Sequence, residues 1–463
     1  MGAIRTDRQD RWTGRTGFTL ATIGSAVGLG SIWKFPYEVG SNGGGAFVLL
    51  YLAGLVLIVV PLMLAEFALG RRGGGDPATA LTAIATRCGA SRLWGLVGVA
   101  GVITGFLILS YYAVIGGWTL AYVAQTVARG LPGVNAAAVQ SHFDGFLAAP
   151  GRMLVFHAFF LAVTAVIVAR GVTGGIEAAS RVLMPLLAGL MVLLAVYGLL
   201  EGDAGRAADF LLRPDPAHFT ARAALDALGL GFFSIGVGMG LMMTYAAYAD
   251  AAIDLRKVAV VSVLGDTAVS LLAGLAVFPL VFANGLDPAG GPGLVFVTLP
   301  IAFARMPFGT AVAVAFFLLL FVAALASAIS MLELTVAMAT RRFGWGRGYA
   351  SLGIAALCYV GGIGTVLSFS HWADWHPLAV LPGFEEATFF DLLDHATSNL
   401  LLPLTGFALA VFAGWIAPSE VLAGELGLGA TGQWWTRWLL RYVVPSAIAV
   451  TAAAPLLSGA GPA

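Results

Sequence analysis

The chain has 463 residues, of which 59% are hydrophobic and 10% are charged. Soluble globular domains contain only about 45–50% apolar residues, so this composition excludes an ordinary soluble protein and indicates a polytopic membrane protein. The formal net charge is zero, which argues against a nucleic-acid partner because nucleic-acid-binding surfaces are strongly basic.

Hydropathy predicts eleven membrane-spanning helices in the lipid bilayer. Seven of the 24 lysines and arginines fall outside if the N-terminus is cytoplasmic, which satisfies the positive-inside rule and places the C-terminus outside a cell (inner or plasma) membrane. The predicted spans are 16–40, 43–70, 93–128, 152–170, 178–200, 222–249, 257–284, 307–340, 349–369, 389–416 and 436–458.

The first predicted span contains a glycine-rich stretch, 23–36, that reads IGSAVGLGSIWKFP. Gly24, Gly28 and Gly30 fall within seven residues there, and each glycine costs a helix interior about 1 kcal/mol relative to alanine. Open backbone at membrane depth is tolerated only where protein buries it or where it lines a cavity. The stretch therefore predicts either a helix that opens in mid-membrane to bind an ion and a small polar solute, or a close helix–helix contact through small residues.

The sixth predicted span repeats this pattern, with five glycines within 228–245. Two interrupted helices five spans apart are typical of an inverted repeat with a binding site near the membrane midplane. We therefore expect an all-α membrane protein of five plus five helices with one peripheral helix. Its parts are a cytoplasmic N-terminal segment (1–15), a first repeat (16–200), a second repeat (201–416), and the eleventh helix with the C-terminus (417–463).

Several stretches, in this order, resemble the neurotransmitter:sodium symporter family over nearly the whole chain, from Arg11 to Leu457. They are GSAVGLGSIWKFPY (24–37), SNGGGAF (41–47), PLMLAEFALGR (61–71), the pair Tyr111 and Tyr112, FFSIGVGMG (232–240) and LLDHATSN (392–399). The resemblance implies a LeuT-like fold of the bacterial, eleven-helix, multi-hydrophobic amino acid transporter type. It implies sodium-coupled import of an amino acid by alternating access, no enzyme activity and no organic cofactor. We expect a monomer or weak dimer.

The resemblance also implies where the substrate carboxylate binds, namely against the opened backbone at Leu29 and Gly30, with the Tyr112 hydroxyl donating to it. Backbone N–H groups at a helix N-terminus favour an anion. Monoamine-transporting relatives carry an aspartate at the position of Gly28. Because this chain has no side chain there, the substrate should bring its own carboxylate, which favours an amino acid over an amine.

The implied pocket for the substrate side chain is apolar, so the substrate side chain should be apolar too. Many relatives have serine at the position of Gly236, and its absence adds room, while methionines make adaptable walls. We therefore expect large aliphatic or aromatic amino acids. The pocket residues are Ile108, Phe233, Gly236, Met239 and Met331, and Ala26, Ser234 and Ser327 complete the expected substrate site.

Two sodium sites follow from the resemblance. The first would use the Ala26 carbonyl, Ser31, Ser234, Asp266 and the substrate carboxylate, and relatives commonly have asparagine where Ser31 and Asp266 stand. The second would use the carbonyls of Gly24, Val27 and Ala323 and the hydroxyl of Ser327. Relatives carry threonine or aspartate beside that serine, whereas this chain has Ala326, so the second site lacks one side-chain ligand.

Chloride-dependent relatives build an anion site from a tyrosine, a glutamine, two serines and an asparagine. This chain keeps Tyr51, Ser234 and Ser270 but has Leu230 and Asp266 at the other two positions. A fixed carboxylate supplies the negative charge that chloride would otherwise bring, and like charges repel each other. We therefore expect chloride-independent transport.

The expected gates depart from the family pattern. Lys34 and Asp394 can form the outer ion pair, although lysine lacks the bidentate fork of the usual arginine. On the inner side Trp12 is present, but Gln9, flanked by Arg8 and Arg11, replaces the usual arginine. Arg341 stands where an acidic partner is expected.

Three carboxylates fall inside apolar spans, where an ionisable group is costly and is functional by default. Glu66 is expected to order a loop near the inner face, whereas Asp266 or Glu333 could carry a proton. Two alternatives to sodium symport therefore remain: a proton-coupled amino acid transporter of the same fold, and a non-transporting membrane sensor that keeps the pocket.

Overall fold

A computed structural model describes residues 11–288, 294–381 and 383–458, with 452–458 described by their backbone alone. These residues form helices and no β-strand. Within the described ranges, eight continuous helices are long and apolar enough to cross a membrane. They are α2 (Gly45–Gly73), α3 (Arg92–Arg129), α4 (Pro150–Ala169), α5 (Val172–Glu201), α7 (Leu255–Ala283), α8 (Gly309–Phe343), α9 (Arg347–Ser368) and α10 (Phe389–Ile416).

Two further spans are interrupted, and the last one ends the described chain. The interrupted spans are α1, made of Arg15–Ala26 and 30–41, and α6, made of Ala221–Ile235 and Leu241–Ala247. The eleventh helix, α11, covers 430–458. Each of the eleven predicted segments overlaps one of these helices, so the expected architecture is confirmed, whereas the division into repeats at 200 and 416 remains a prediction.

Short helices connect the spans and lie outside the segments predicted from hydropathy. They are Pro77–Arg87, Ala136–Leu147, Ala204–Leu212, Leu294–Ala304 and Ser419–Leu426. None is longer than the 12 residues of Ala136–Leu147, so all are too short to cross a bilayer. This explains why a search for long apolar runs misses them.

The interruption of α6 depends on glycine. Gly236 ends the first half with φ +71°, Gly238 has φ +99°, and Gly240 precedes the second half with φ +81°. Residues with a Cβ rarely adopt these left-handed conformations, whereas glycine does so without a steric penalty. The alternation of glycine with other residues over 236–240 therefore encodes the break.

The two interruptions lie against each other in the middle of the protein. A Cβ added to Gly30 would lie 3.1 Å from the Cα of Ser234, so the opened parts of α1 and α6 touch almost backbone to backbone. On the other side of α6, the fully buried Glu66 of α2 accepts hydrogen bonds from Gly238 N at 2.5 Å and Met242 N at 3.2 Å. Glu66 thus satisfies the opened backbone of α6, rather than ordering a loop as we expected.

Other glycines serve close helix contacts, which is the second interpretation that the sequence left open. A Cβ on Gly70 of α2 would lie 2.2 Å from the carbonyl oxygen of Met243 in α6. A Cβ on Gly101 of α3 would lie 2.4 Å from the carbonyl oxygen of Met239. Small residues let helices approach this closely within a membrane, so the glycines of this chain both open helices and pack them.

The contact at Gly70 yields a stability prediction. Gly70→Ala should lower the melting temperature of the purified protein, because the new methyl group overlaps the backbone of α6 and overpacking of this kind costs about 1–3 kcal/mol. The matched control is Gly353→Ala in α9, where an added Cβ meets nothing within 4 Å. Equal melting temperatures for the two variants would show that α2 and α6 do not pack as described.

Candidate functional site

A cavity of about 30 Å³ lies between the two interruptions, α3 and α8. It has room for one or two water molecules, so binding of an amino acid requires its walls to move apart. Its apolar walls include the flexible side chains of Met239 and Met331, which can adapt in this way. The lining residues are Ser25, Gly28, Leu29, Gly30, Ile108, Tyr112, Phe233, Ser234, Gly236, Met239, Leu241, Ser327 and Met331.

Ten of the eleven residues expected at the substrate site line this cavity. Ala26 does not, because it is fully buried at the end of the first half of α1. Ser25, Gly28 and Leu241 also line the cavity and were not among the expected contacts. The Ser25 hydroxyl is buried without a hydrogen-bond partner among the described residues, and its position beside Gly24 in the glycine-rich stretch was the signal that could have identified it.

The polar end of the cavity is the start of the second half of α1. Leu29 N donates to the hydroxyl of Tyr112 at 3.2 Å, so the tyrosine of α3 lies against the backbone amide at the start of the second half of α1. Amides at this end of a helix carry a partial positive charge and favour an anion. The arrangement can therefore bind a carboxylate, with the phenol as an additional donor.

Gly28 lies between the polar end of the cavity and α8. A Cβ built on Gly28 would lie 2.6 Å from Ser327 Oγ and 3.0 Å from Tyr112 Oη. No side chain, aspartate included, fits there without displacing these hydroxyls. The packing thus gives a physical reason for the missing carboxylate at this position.

A carboxylate and three hydroxyls form a buried cluster directly behind the cavity, which we call the Asp266 cluster. Ser31, Ser234 and Tyr51 all donate to the fully buried Asp266 carboxylate, with Ser234 Oγ to Oδ1 and Tyr51 Oη to Oδ2 both at 3.0 Å. Ser31 Oγ and Ser234 Oγ are 2.9 Å apart. These contacts link α1, α2, α6 and α7 through the Asp266 carboxylate.

The Asp266 cluster provides oxygen ligands of the kind that hard cations such as sodium prefer. Each serine hydroxyl has one hydrogen to donate and two lone pairs, so Ser31 and Ser234 can donate to Asp266 and still present an oxygen to an ion. The set therefore fits the first expected sodium site. Ser270, one helical turn along α7, is buried with its hydroxyl unpartnered among the described residues.

Two of the carbonyls expected at the second sodium site, those of Gly24 and Val27, lie beside Ser327 of α8. Its hydroxyl lies 3.5 Å from the carbonyl of Gly24, 3.4 Å from that of Ser25 and 3.4 Å from that of Val27. The last carbonyls of a helix have no partner further along it, so the end of the first half of α1 presents free oxygens here.

The side of this site away from Ser327 is apolar. A Cβ on Gly24 would lie 3.0 Å from the Met184 Cε of α5 and 3.5 Å from the Cβ of Ala326. Met184 was not predicted to lie here, because nothing in its sequence context separates it from an ordinary core methionine. Ala323 is fully buried one turn before Ser327. The donor set fits a cation, with a methyl group where relatives supply an oxygen.

On the outer side, by the predicted orientation, the expected ion pair between Lys34 and Asp394 is not formed. The Lys34 ammonium lies over the ring of Phe233, 5.1 Å from its centroid. Asp394 instead accepts from Tyr111 Oη and Ser398 Oγ, each at 2.9 Å. Both charged groups thus contact other partners, and the two residues remain gate candidates.

On the inner side, by the predicted orientation, Trp12 packs against the end of α6. Its indole Nε1 donates to the carbonyl of Tyr245 at 2.9 Å, and its ring packs on Phe18 and Tyr245. Arg8 and Gln9 lie outside the described residues.

A second inner contact was missed from the sequence. Thr13 N donates to the buried Glu177 carboxylate at 2.9 Å, Thr13 Oγ1 donates to the same group, and Arg181 pairs with it at 2.6 Å. This contact links the start of α1 to α5. Glu177 could have been noticed because it is a lone acid within an apolar stretch, next to Gly174 and Gly175.

Glu333, a buried acid of α8, is also paired. Tyr248 Oη donates to it at 2.8 Å, and the guanidinium of Arg347 forms an ion pair with it. The group is fully buried, and an unpaired charge at such depth would be very unfavourable. Glu333 therefore acts as a structural link between α8, α6 and α9.

Comparison with known proteins identifies the family. The profile of the Sodium:neurotransmitter symporter family matches residues 9–144 and 138–372. The uncharacterized sodium-dependent transporter YhdH of Bacillus subtilis is 38% identical over 444 residues, which cover 95% of this chain and 96% of the relative. An uncharacterized sodium-dependent transporter of Haemophilus influenzae is 30% identical over 452 residues, which cover 96% of this chain and 97% of the relative.

A solved structure agrees with these relatives. The crystal structure of MhsT in complex with L-phenylalanine has a TM-score of 0.87 and 39% sequence identity to this chain, and the match covers 97% of this chain and 99% of MhsT. The shared fold, the interrupted helices and the sequence similarity over nearly the whole chain lead to one conclusion. The chain belongs to the sodium:neurotransmitter symporter family and is a sodium-dependent membrane transporter, not an enzyme.

Proposed function

We propose that the protein imports neutral, hydrophobic L-amino acids with large aliphatic or aromatic side chains, coupled to sodium and independent of chloride. The single observation that carries this proposal is the composition of the central cavity. One end is the free helix N-terminus at Leu29 with the Tyr112 hydroxyl, and the rest is walled by apolar side chains. That MhsT binds L-phenylalanine supports the same substrate class.

The coupling proposal rests on the contact between the cavity and the proposed ion sites. Ser234 lines the cavity and also belongs to the Asp266 cluster, while Ser327 lines it and faces the carbonyls of Gly24 and Val27. Asp266, Ser31, Ser234 and the carbonyl of Ala26 would hold one sodium ion, and Ser327 with the carbonyls of Gly24, Val27 and Ala323 a second. A bound cation supplies positive charge that attracts the substrate carboxylate.

Different residues would bind the carboxylate and the side chain of the substrate. Tyr112 and the amides at Leu29 and Gly30 orient the carboxylate, while Ile108, Phe233 and the two methionines exclude water from the substrate side chain. Gly236 lines the cavity, where the absence of a side chain would leave room for a large substrate, and it also has φ +71°. A substitution at Gly236 would therefore strain the backbone as well as fill space.

Chloride independence is supported by the contacts of Asp266. Two hydroxyls that could bind chloride, those of Tyr51 and Ser234, already donate to this carboxylate. A chloride ion placed among them would compete for these donors and would meet a negative charge at close range. The Asp266 carboxylate thus supplies the negative charge that chloride would otherwise bring.

The two alternatives are weakened by specific contacts. A proton carrier at Glu333 would have to leave its ion pair with Arg347, which leaves Asp266 as the remaining candidate for proton coupling. The sensor hypothesis relied on the missing inner gate pair, but Trp12 and Glu177 supply other inner contacts.

We further propose residence in the plasma (inner) membrane with a cytoplasmic N-terminus and an outer C-terminus, as a monomer or weak dimer.

Sodium-dependent binding is the first test. The purified protein should bind radiolabelled leucine, phenylalanine or tryptophan in sodium buffer and fail to bind them when choline or potassium replaces sodium at constant ionic strength. Glutamate should not compete, because burying its second charge in an apolar cavity is costly. Binding that is equal in all three buffers, or uptake into proteoliposomes driven only by a proton gradient, would overturn sodium coupling.

A steric test locates the substrate. Gly28→Ala should weaken leucine binding about 5- to 150-fold, because the added methyl group would crowd Ser327 Oγ and Tyr112 Oη and overpacking costs roughly 1–3 kcal/mol. Gly229→Ala, in α6 where an added Cβ meets nothing within 4 Å, is the matched control. If Gly28→Ala binds leucine like the wild type, the substrate does not lie in this cavity.

A chloride-replacement test addresses Asp266. Wild-type leucine uptake should be unchanged when gluconate replaces chloride, whereas Asp266→Asn should lose uptake in gluconate. Any restoration of uptake by chloride should be confined to that variant, because Tyr51, Ser234 and Ser270 remain as donors there. Asp209→Asn, on the helix Ala204–Leu212, controls for loss of a negative charge. Collapse of wild-type uptake without chloride, or a fully active, chloride-indifferent Asp266→Asn, would refute the proposal.

A further inference from the structure

A second and larger cavity, of about 190 Å³, lies at the Arg129 end of α3. It is separate from the central cavity, since Tyr122 lies ten residues beyond Tyr112 on the same helix, roughly 15 Å along its axis. With the N-terminus inside, this cavity faces the exterior. Its walls come from α3, α8 and two connecting helices, and the principal lining residues are Tyr122, Gln125, Arg129, His142, Pro300 and Phe317.

The inner wall of this outer cavity is aromatic. The rings of Tyr122 and Phe317 are 4.8 Å apart, and Phe296 packs on Tyr122 at 5.0 Å. An apolar cavity of roughly 150 Å³ is large enough to hold benzene. The outer cavity can therefore accommodate a group the size of one aromatic ring.

Two buried polar groups of α3 at this cavity have no partner among the described residues, namely Tyr122 Oη and Gln125 Nε2. Tyr122 is only 4% exposed, and buried polar groups are almost always hydrogen-bonded. The amide oxygen of Gln125 pairs with His142 Nε2 at 2.8 Å, which leaves the amide nitrogen as a donor. Both orphan groups can thus donate hydrogen bonds.

The residues that line the cavity include one arginine, the exposed Arg129, and no acid. Arg129 contributes a guanidinium, and burial, together with Arg152 and Arg129, lowers the pKa of His142, so the imidazole is neutral at pH 7. The nearest acid on the same helix as His142 is Asp144, which is exposed and accepts from Gln140 Nε2 at 2.8 Å. An arginine and two neutral donors make a site that favours an anion.

We propose that this outer cavity is a second ligand site, which binds a small carboxylate carrying one ring-sized apolar group. The carboxylate accepts from Arg129, the Tyr122 hydroxyl and the Gln125 amide. The apolar group packs on the rings of Tyr122 and Phe317. This chemistry differs from that of the central cavity, because a side-chain cation rather than a helix end meets the carboxylate.

Benzoate is the probe, since it combines one ring with one carboxylate. Calorimetric titration of the purified full-length protein in sodium-free choline buffer should show saturable, millimolar binding of benzoate and much weaker binding of benzyl alcohol. Arg129→Gln should weaken benzoate binding about tenfold or more, because a charged hydrogen-bond partner is lost. Tyr122→Phe should also weaken binding, and it removes only a hydroxyl that has no partner among the described residues, so the fold should be unaffected.

Two control variants distinguish the outer cavity from the central cavity and from a general effect of charge. Arg222→Gln removes an exposed cation elsewhere and should leave benzoate binding unchanged, while Gly28→Ala blocks the central cavity and should also leave it unchanged. The proposal is overturned if benzoate does not saturate, if benzyl alcohol binds as tightly, or if Arg129→Gln binds like the wild type. Loss of benzoate binding in Gly28→Ala would also overturn it, by placing the probe in the central cavity. Because no arm depends on sodium or on an amino acid, failure here leaves the proposed transport function untouched.

Discussion

Opened backbone in the middle of a membrane is the constraint on which the rest of this structure depends. Lipid offers no hydrogen bonds, so each amide and carbonyl freed by the breaks in α1 and α6 needs a partner from the protein or a ligand. The chain supplies Tyr112 for the amide of Leu29, Glu66 for the amides of Gly238 and Met242, and the single hydroxyl donor of Ser327 for one of the carbonyls at the end of the first half of α1. Groups left over at the same place are available to a solute and its ions.

The Asp266 cluster links the interrupted helices α1 and α6 to the proposed coupling between sodium and substrate. Its hydroxyls come from both interrupted helices and from α2, and its carboxylate comes from α7. A change in the hydrogen bonding of the Asp266 carboxylate therefore alters contacts of all four helices. Since Ser234 also lines the central cavity, the substrate and the proposed first ion site share a side chain, which is a short physical path between the two.

The inner face depends on contacts that differ from the family pattern we expected. Trp12 holds the end of α6, and Thr13 is held by the buried Glu177 of α5, whose charge Arg181 balances. Gly17 permits this contact, because a Cβ there would lie 2.2 Å from the Glu177 carboxylate. The start of α1 is thus fastened by two neighbouring residues to two different helices.

The eleven spans of this protein could be predicted from the amino-acid sequence, because each follows from local chemistry, whereas the short helices that connect them were not predicted. Long apolar runs placed the spans, and the spacing of glycines marked the breaks in α1 and α6. Family motifs then placed ten of the eleven expected substrate-site residues at the central cavity. The partners of the charged and small residues became known only from the folded chain, because these residues lie far apart in sequence. Glu66 accepts a hydrogen bond from the opened backbone of α6, and Glu333 forms an ion pair with Arg347. Lys34 lies over the ring of Phe233 instead of pairing with Asp394. Glu177 accepts a hydrogen bond from Thr13. In each case packing decided the partner, and packing is a property of the whole fold, not of any one segment.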